Sequence, residues 1–577
     1  MPEALEQKTR VKNKEILLSV LSKLLNKKDH IEKEYEKLVH PYFDILGNLN
    51  KLTDIEKASN VINGVIQEIE KGKEKRKILI LTDYDCDGLN SAYVITETLR
   101  LVYNLGHQLI TLINKRQFGN GVNYDALNQV DLNDVCLIIT ADHGSVNEEV
   151  YKDLKTKHKD LKIVVTDHHQ IEETTYPHSA DAFVNNQREE SKFTRNASGC
   201  AVAFLVMLKC VYDANKKNKK YYKSDSDLLE DMLYYFGHNL SLTVISDVMD
   251  VTDPFNRYVC KTGFNNIEDR LRNMVVLNNI KGGLTYRDLG FKIIPLINSA
   301  NRTHIEEVGF KALYGDREAI NQLMVANADR KMSTDIIIKQ AKSTKHIYGV
   351  YGVTVVIDTN LAIAGIIASR IGEDFNAPTV CLNITDHSYE GSARAVRPNF
   401  NILGVLKEME RENPDMFLKL GGHKEAAGLA IKRDVDVLDR FINLFNLKVK
   451  EALKDLEVID KYIDIDIKDL NLDLINQLKT LEPFGKGLEE PLFRSRIRIK
   501  NINIWSSLVN FMIADEGLTQ EIKCTHYTNK STNKQFDKIY VLDNEIDIVY
   551  KPLKMYQSRS VTNLIIEKSF PVGNPLY

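Results

Sequence analysis

Three stretches of this chain share one design, an apolar run that ends on carboxylates or histidine. In the first, KILILTDYDCDG (residues 77–88), four apolar residues lead to Thr82 and then to Asp83, Asp85 and Asp87 at alternate positions. The second spans residues 135–140 and ends on Asp142 and His143; the third spans residues 163–166 and ends on Asp167, His168 and His169. Short apolar runs of this kind read as buried strands. Helical patterns lie between them, as at residues 89–101. Strand–helix alternation predicts a parallel, doubly wound sheet, in which ligands gather beyond the carboxyl ends of the strands. Carboxylates crowded there repel one another unless cations lie between them, and hard divalent ions favour such oxygen ligands. Alone, the first stretch also reads as a solvated acidic turn, and a single His as a satisfied core residue. Repetition of the same chemistry at three strand ends favours a metal site. A fourth acid, Asp247, follows the apolar run 240–246, with Asp250 close behind. Whether that run is helix or strand, it directs Asp247 at the same centre.

At 577 residues the chain exceeds one core and predicts several domains. Charged residues make up 27 % and the formal net charge is −3, so any basic surface for nucleic acid is local. The seven cysteines form no C-x-x-C pair, which fits a reducing, cytoplasmic setting rather than a disulfide framework. The charged start lacks the apolar core of a signal peptide. No apolar run reaches the ~18 residues of a membrane span. Residues 1–75 predict a helical region, with Leu17, Leu18, Leu21, Leu24 and Leu25 at helical spacing. Residues 316–348, free of Pro and Gly, predict one long helix. From about residue 458 the texture is all-β. There Arg494, Arg496, Arg498 and Lys500 alternate with Phe493, Ile497 and Ile499, and the phase slips at Asn501. With Trp505 and Phe511 nearby, this basic face suits backbone tracking and base stacking of a single strand. It equally suits an edge strand kept soluble by charge.

The motifs DYDCDG, TADHG, TDHH and ISDVMD, in that order, resemble those of the DHH phosphoesterase superfamily. SGCAVAF, PLINSANR, GIIASR, GSARA and GGHKEAAG extend the resemblance to RecJ-type single-strand exonucleases, and LEPFGKG resembles the stretch that leads into their oligonucleotide-binding barrel. The resemblance covers about residues 40–577. It implies an α/β fold in which a DHH parallel-sheet domain (76–305) and a DHHA1 α/β domain (349–457) are joined by connecting helices (306–348). An OB-fold β-barrel follows at 458–577.

The resemblance also implies two ions, Mn²⁺ or Mg²⁺. Asp85, Asp142, His168 and Asp247 would hold one, and Asp83 and Asp142 the other. His169 would face the scissile phosphate. Asp87 and Asp167 would orient ligands, although Asp87 reads equally as a cap for the helix after Gly88. Arg116, Arg302, Ser392, Arg394 and His423 would bind substrate. Departures from the family pattern include His143 where Asn is common, VNNQ at 184–187 in place of an Asn-Pro turn, and the absence of a His-Pro-Gly before GIIASR. None removes a ligand. The implied activity is 5′→3′ hydrolysis of single-stranded DNA to 5′-mononucleotides, in repair, recombination or replication. A monomer is expected, with a single-strand-binding protein or helicase as candidate partner. The alternatives are a phosphodiesterase of short oligoribonucleotides or cyclic dinucleotides, and a non-catalytic replication scaffold.

Overall fold

The computed structural model describes residues 2–119, 121–171, 176–218, 221–343, 346–358, 363–397, 400–454, 462–514, 521–528, 536–554, 556–557 and 561–572. Two compact units emerge. Residues 1–294 and 460–577 make one, and residues 295–459 the other.

The first unit opens with helices α1 (Pro2–Leu25), α2 (Ile31–Val39) and α3 (Ile55–Glu70). Five parallel strands follow: β1 (Lys77–Thr82), β2 (Leu109–Ile113), β3 (Val135–Ala141), β4 (Lys162–Asp167) and β5 (Ala182–Asn185), in the order β2-β1-β3-β4-β5. The apolar runs form the three central strands. Ile78, Leu79, Ile80 and Leu81 are all buried, which at about 1.5–3 kcal/mol per large side chain is a main source of cohesion. Both faces of the sheet are covered. One carries α3 together with α4 (Cys86–Leu101) and, later in the chain, α6 (Gly199–Asn218). The other carries Tyr151 and Leu154 of α5 (Glu148–Lys157), packed with Leu79, Leu81 and Val165. Thus the strands read as continuous apolar runs rather than as alternation. Helices α7 (Asp225–Ser246) and α8 (Pro254–Phe264) complete this part.

The second unit contains helix α9 (Arg317–Ser343). Its 27 residues span roughly 40 Å at 1.5 Å per residue. The helix stops short of the predicted end at 348. Ile347 and Tyr348 instead form strand β6 and pair with Val355 and Thr354, across a turn in which Gly349 takes φ +86°. Strands β7 (Val353–Ile357), β8 (Thr379–Ile384), β9 (Ser388–Arg394), β10 (Phe417–His423) and β11 (Ala426–Lys432) complete a mixed sheet ordered β10-β11-β9-β8-β7-β6. One core packs α10 (Ala364–Phe375) on Val353, Val355 and Cys381. Another packs α11 (Ile402–Glu412) and α12 (Val435–Lys454) on Val380, Leu382 and Leu429.

The chain then returns to the first unit through β12 (Tyr462–Asp464) and α13 (Leu472–Thr480). Strands β13 (Leu492–Ile504), β14 (Val509–Ile513), β15 (Glu521–His526), β16 (Glu545–Tyr550), β17 (Tyr556–Gln557) and β18 (Val561–Pro571) follow. Pairings β13–β14, β14–β15, β15–β18, β18–β16 and β16–β13 close a five-stranded barrel. The register of β13 shifts between Ile499 and Asn501, where the alternation slips. Phe511 is buried and belongs to the barrel core, so it offers no stacking face.

Candidate metal centre

In the parallel sheet Thr82 lies level with Ala141, and Ala141 with Thr166. The residues that follow, Asp83, Asp142 and Asp167, therefore emerge side by side. Backbone bonds continue past the strand ends: Asp83 N donates to Ala141 O (3.1 Å) and Asp142 N to Thr166 O (3.0 Å). Asp142 then turns sharply, with φ +62°, a conformation that Asp tolerates better than most residues. Asp247 arrives from another direction as the C-cap of α7.

These elements converge on one point. His168 Nε2 lies 3.2 Å from Asp142 Oδ1, 3.4 Å from Asp247 Oδ2 and 3.7 Å from Asp87 Oδ2. Asp83, Asp85 and Asp142 form an adjoining cluster, and Asp142 also groups with His168 and His169. Asp142 thus belongs to both clusters. Three buried atoms here, Asp83 Oδ1, Asp142 Oδ1 and His168 Nε2, have no hydrogen-bond partner. Orphaned buried acceptors are costly, and cations held between these groups would satisfy them. Gly199 permits the crowding, since a Cβ there would fall 2.2 Å from Asp142 Oδ1.

Electrostatics carry the same message. Burial, then repulsion from Asp85, pushes the Asp83 carboxyl up to about 8. Burial lifts Asp87 to about 7; His168 opposes the rise and Asp247 reinforces it. Asp142 rises well above the ordinary carboxylate range through burial and then through Asp87 and Asp85. Asp167 behaves oppositely. Burial opposes its charge, but His169, His168 and Ser145 outweigh burial and hold it below the ordinary range. Its Oδ1 accepts from His168 N (2.7 Å), His169 N (3.1 Å) and His169 Nδ1 (2.8 Å), and its Oδ2 from Ser145 N (2.9 Å). Oδ1 is thus committed to holding the two histidines, and Oδ2 to the Ser145 backbone. Burial lowers His169, yet Asp167 more than compensates and raises it to about 10.

The helix after Gly88 is capped by Asp85, whose Oδ1 accepts from Asp87 N (2.9 Å) and Gly88 N (3.1 Å). Asp87 is therefore not the cap. Its Oδ2 and Oδ1 instead accept from Gly199 N (2.7 Å) and Cys200 N (2.9 Å) at the start of α6. Sequence reasoning missed these donors. It also missed Asn185, whose Nδ2 donates to His169 O (2.9 Å) and Ser145 Oγ (2.8 Å). The Ser-Gly before an apolar helical run was the available signal for the first. For Asn185 the signal was an Asn at a fourth strand end.

Comparison with known proteins bears on the family. The model of the DHH family, N-terminal domain, matches residues 77–234, the DHHA1 domain residues 349–451 and the RecJ OB domain residues 463–568. The single-stranded-DNA-specific exonuclease RecJ of Haemophilus influenzae is 27 % identical over 480 residues, 78 % of this chain and 79 % of that protein. The chain carries, in order, the three domains of the RecJ-type DHH–DHHA1 proteins. The crystal structure of RecJ in complex with Mn²⁺ from Thermus thermophilus has the same fold, with a TM-score of 0.68 at 19 % identity over 94 % of this chain and 74 % of that one. The corresponding complex with Mg²⁺ gives 0.64 at 18 % over 96 % and 74 %.

Of the remaining RecJ-type positions, Arg116 belongs to the first unit and Arg302, Ser392, Arg394 and His423 to the second. Arg116 stacks over Tyr84, 5.8 Å from the ring centroid, beside the first acidic turn. In the second unit Ser392 and Arg394 point to one face of β9, and Arg394 Nη1 donates to Ser392 Oγ and to Ala393 O (2.8 Å). Burial lowers the Arg394 guanidinium. Such a cation is set up for an anion. Arg302 ends the short helix Ser299–Arg302 and is partly buried. Arg370 pairs with Asp335. His423 contributes backbone to β10, and its side chain lies outside the described residues.

The arginine face of β13 is not a bare cationic strip. Arg494 pairs with Asp464, Arg496 with Asp547 (3.0 Å) and Arg498 with Glu545 (2.7 Å), each from a neighbouring strand. Lys500 is exposed, and Trp505 is 52 % exposed.

Proposed function

We propose that this chain is a metal-dependent exonuclease that hydrolyses single-stranded DNA from the 5′ end and releases 5′-mononucleotides. The observation that carries the reading is the convergence of Asp83 Oδ1, Asp142 Oδ1 and His168 Nε2, buried and unpartnered, among carboxyls that burial and mutual repulsion keep from ionising alone. Asp85, Asp142, His168 and Asp247 would hold one ion, and Asp83 and Asp142 the other. The imidazole favours Mn²⁺ over Mg²⁺. Paired divalent cations supply the charge that activates water and stabilises the leaving oxygen in phosphodiester hydrolysis.

The chain's own groups do the rest. Asp167 fixes His169 through Nδ1, so that Nε2–H faces the scissile phosphate as a donor. Asp87, with both oxygens bonded to the α6 backbone, keeps the turn that carries Asp83 and Asp85 in place. Arg394 and Ser392 receive the 5′ phosphate; the 5′→3′ direction is what the resemblance implies. Arg116 and Arg302 meet phosphates further along the strand. The barrel engages the single strand through Lys500 and Trp505. All seven cysteines are buried and none is in a disulfide, which fits a cytoplasmic, reducing setting.

Purified protein with Mn²⁺ and 5′-phosphorylated, end-labelled single-stranded DNA is expected to yield mononucleotides from the 5′ end. Digestion only from the 3′ end, or none, overturns the reading. Preference for a dinucleotide over a long strand in the same assay replaces it with a small-substrate phosphodiesterase.

A further inference from the structure

Asp247 stands at a helix end that does not hold its own shape. Helix α7 closes through Val248 N to Ile245 O (3.4 Å) and Met249 N to Val244 O (3.0 Å), with Val248 at φ +52°. Glycine usually fills the left-handed position of such a closure, and a β-branched residue there is an outlier. Val248 is also 61 % exposed, so its own packing does not hold it.

What holds the turn comes from far along the chain. Val251 N donates to Lys486 O (2.9 Å). Asp250 Oδ1 is pinned by Thr252 N (2.8 Å) and Thr252 Oγ1 (2.6 Å), and it lies against Gly487. Gly487 has φ +86°, and a Cβ there would fall 2.1 Å from that oxygen. The segment 480–487 is in turn strapped down by two cations of α8. Arg257, fully buried, donates to Leu481 O (2.7 Å), Glu482 O (3.0 Å), Pro483 O (2.9 Å) and Leu38 O (2.8 Å). Lys261 Nζ donates to Thr480 O (2.7 Å) and Val39 O (3.3 Å). These cations bind peptide carbonyls, a use that orders backbone.

We propose that the segment leading into the barrel is a strap that positions Asp247, with Gly487 as its point of contact, so that attachment of the barrel sets the affinity of the metal centre. This rests on the reading of Asp247 as a metal ligand. The sequence motif LEPFGKG thereby acquires a task inside the catalytic unit, besides joining it to the barrel.

The test is a Mn²⁺ titration of the full-length protein, followed by the electron paramagnetic resonance signal of free Mn²⁺. Gly487→Val is expected to weaken Mn²⁺ binding about tenfold or more, the scale of lost ligand support. Affinity for single-stranded DNA in EDTA should be unchanged, and most turnover should return at high Mn²⁺. Gly487→Ala is the milder variant if Gly487→Val folds poorly. Adding Val248→Gly, which lets the turn close unaided, is expected to restore most of the lost affinity. A titration unchanged by either Gly487 variant overturns the strap, as does the absence of rescue by Val248→Gly. Asp247→Asn separates the two readings. If it leaves the titration unchanged, Asp247 is not a ligand; if it weakens binding while Gly487→Ala and Gly487→Val do not, only the strap fails.

Discussion

Asp142 concentrates the demands of the site in one residue. It is 2 % exposed, left-handed, close to Gly199 and shared by two ligand clusters. Asp167, at the end of the neighbouring strand, accepts four N–H bonds and stays charged. Their substitutions should therefore differ in kind. Asp142→Ala is expected to cost at least ~10²-fold in turnover at any Mn²⁺ concentration, since on the proposed function it removes a ligand outright. Asp167→Ala frees the histidines, and is expected to weaken Mn²⁺ affinity by roughly 10–100-fold while leaving turnover largely recoverable at high Mn²⁺. Steady-state assays across a Mn²⁺ series distinguish the two. Asp83, Asp142 and His168 could be singled out from the sequence because residues at neighbouring strand ends in a parallel sheet meet, whereas Asp85, as against Asp87, and Asp247, at a helix end, were assigned through the resemblance. The donors that hold Asp87 and the support from Asn185 could not, because hydrogen bonds between segments distant in the chain leave no periodic trace.

At the scale of elements, β13 shows how far alternation carries. Its buried and exposed residues fall where a period of two puts them, including the slip at Asn501. Alternation says nothing about neighbours, and β12 and β16 bring Asp464, Asp547 and Glu545 opposite the arginines. Paired arginines release fewer counterions on binding a polyanion than free ones. Replacing Asp547 by Asn and Glu545 by Gln is therefore expected to raise affinity for single-stranded DNA by a few-fold at most, as exposed ion pairs are weak. The salt dependence should steepen. Fluorescence anisotropy at several salt concentrations measures both, and unchanged affinity places the DNA path elsewhere on the barrel.

At the scale of the molecule, the metal centre is a source of instability when stripped of cations. Asp83 and Asp87 have folded-state values of about 8 and about 7, well above the unfolded value of about 3.9. A group raised on folding adds stability below its unfolded value and loses it as pH rises through the folded value. His169, raised to about 10, acts in the same sense from about pH 6.5 upward, weakened by solvent because its ring is half exposed. In EDTA the protein is accordingly expected to lose on the order of 1–2 kcal/mol between about pH 6.5 and 8.5. Saturating Mn²⁺ should abolish the loss, and thermal melts at the two pH values read it directly. The barrel also folds as part of the first unit. Asn13 bonds Asn471 (3.0 Å) and Asp473 (2.9 Å), and Arg257 binds the 481–483 carbonyls. Removing residues 458–577 is therefore expected to lower the melting temperature of what remains, as well as its affinity for long strands.

By itself the sequence determined the parallel sheet, the acids and histidines at its strand ends, the long helix and the alternation in the barrel, because each follows from local periodicity and strand polarity. Tertiary structure alone decided which oxygens stay unpartnered, that Asp85 rather than Asp87 caps its helix, that the barrel's arginines are paired, and that residues 480–487 grip the turn of Asp247. All of these depend on contacts between distant segments, whose partners are set by how the elements pack and not by the order of residues within any one of them.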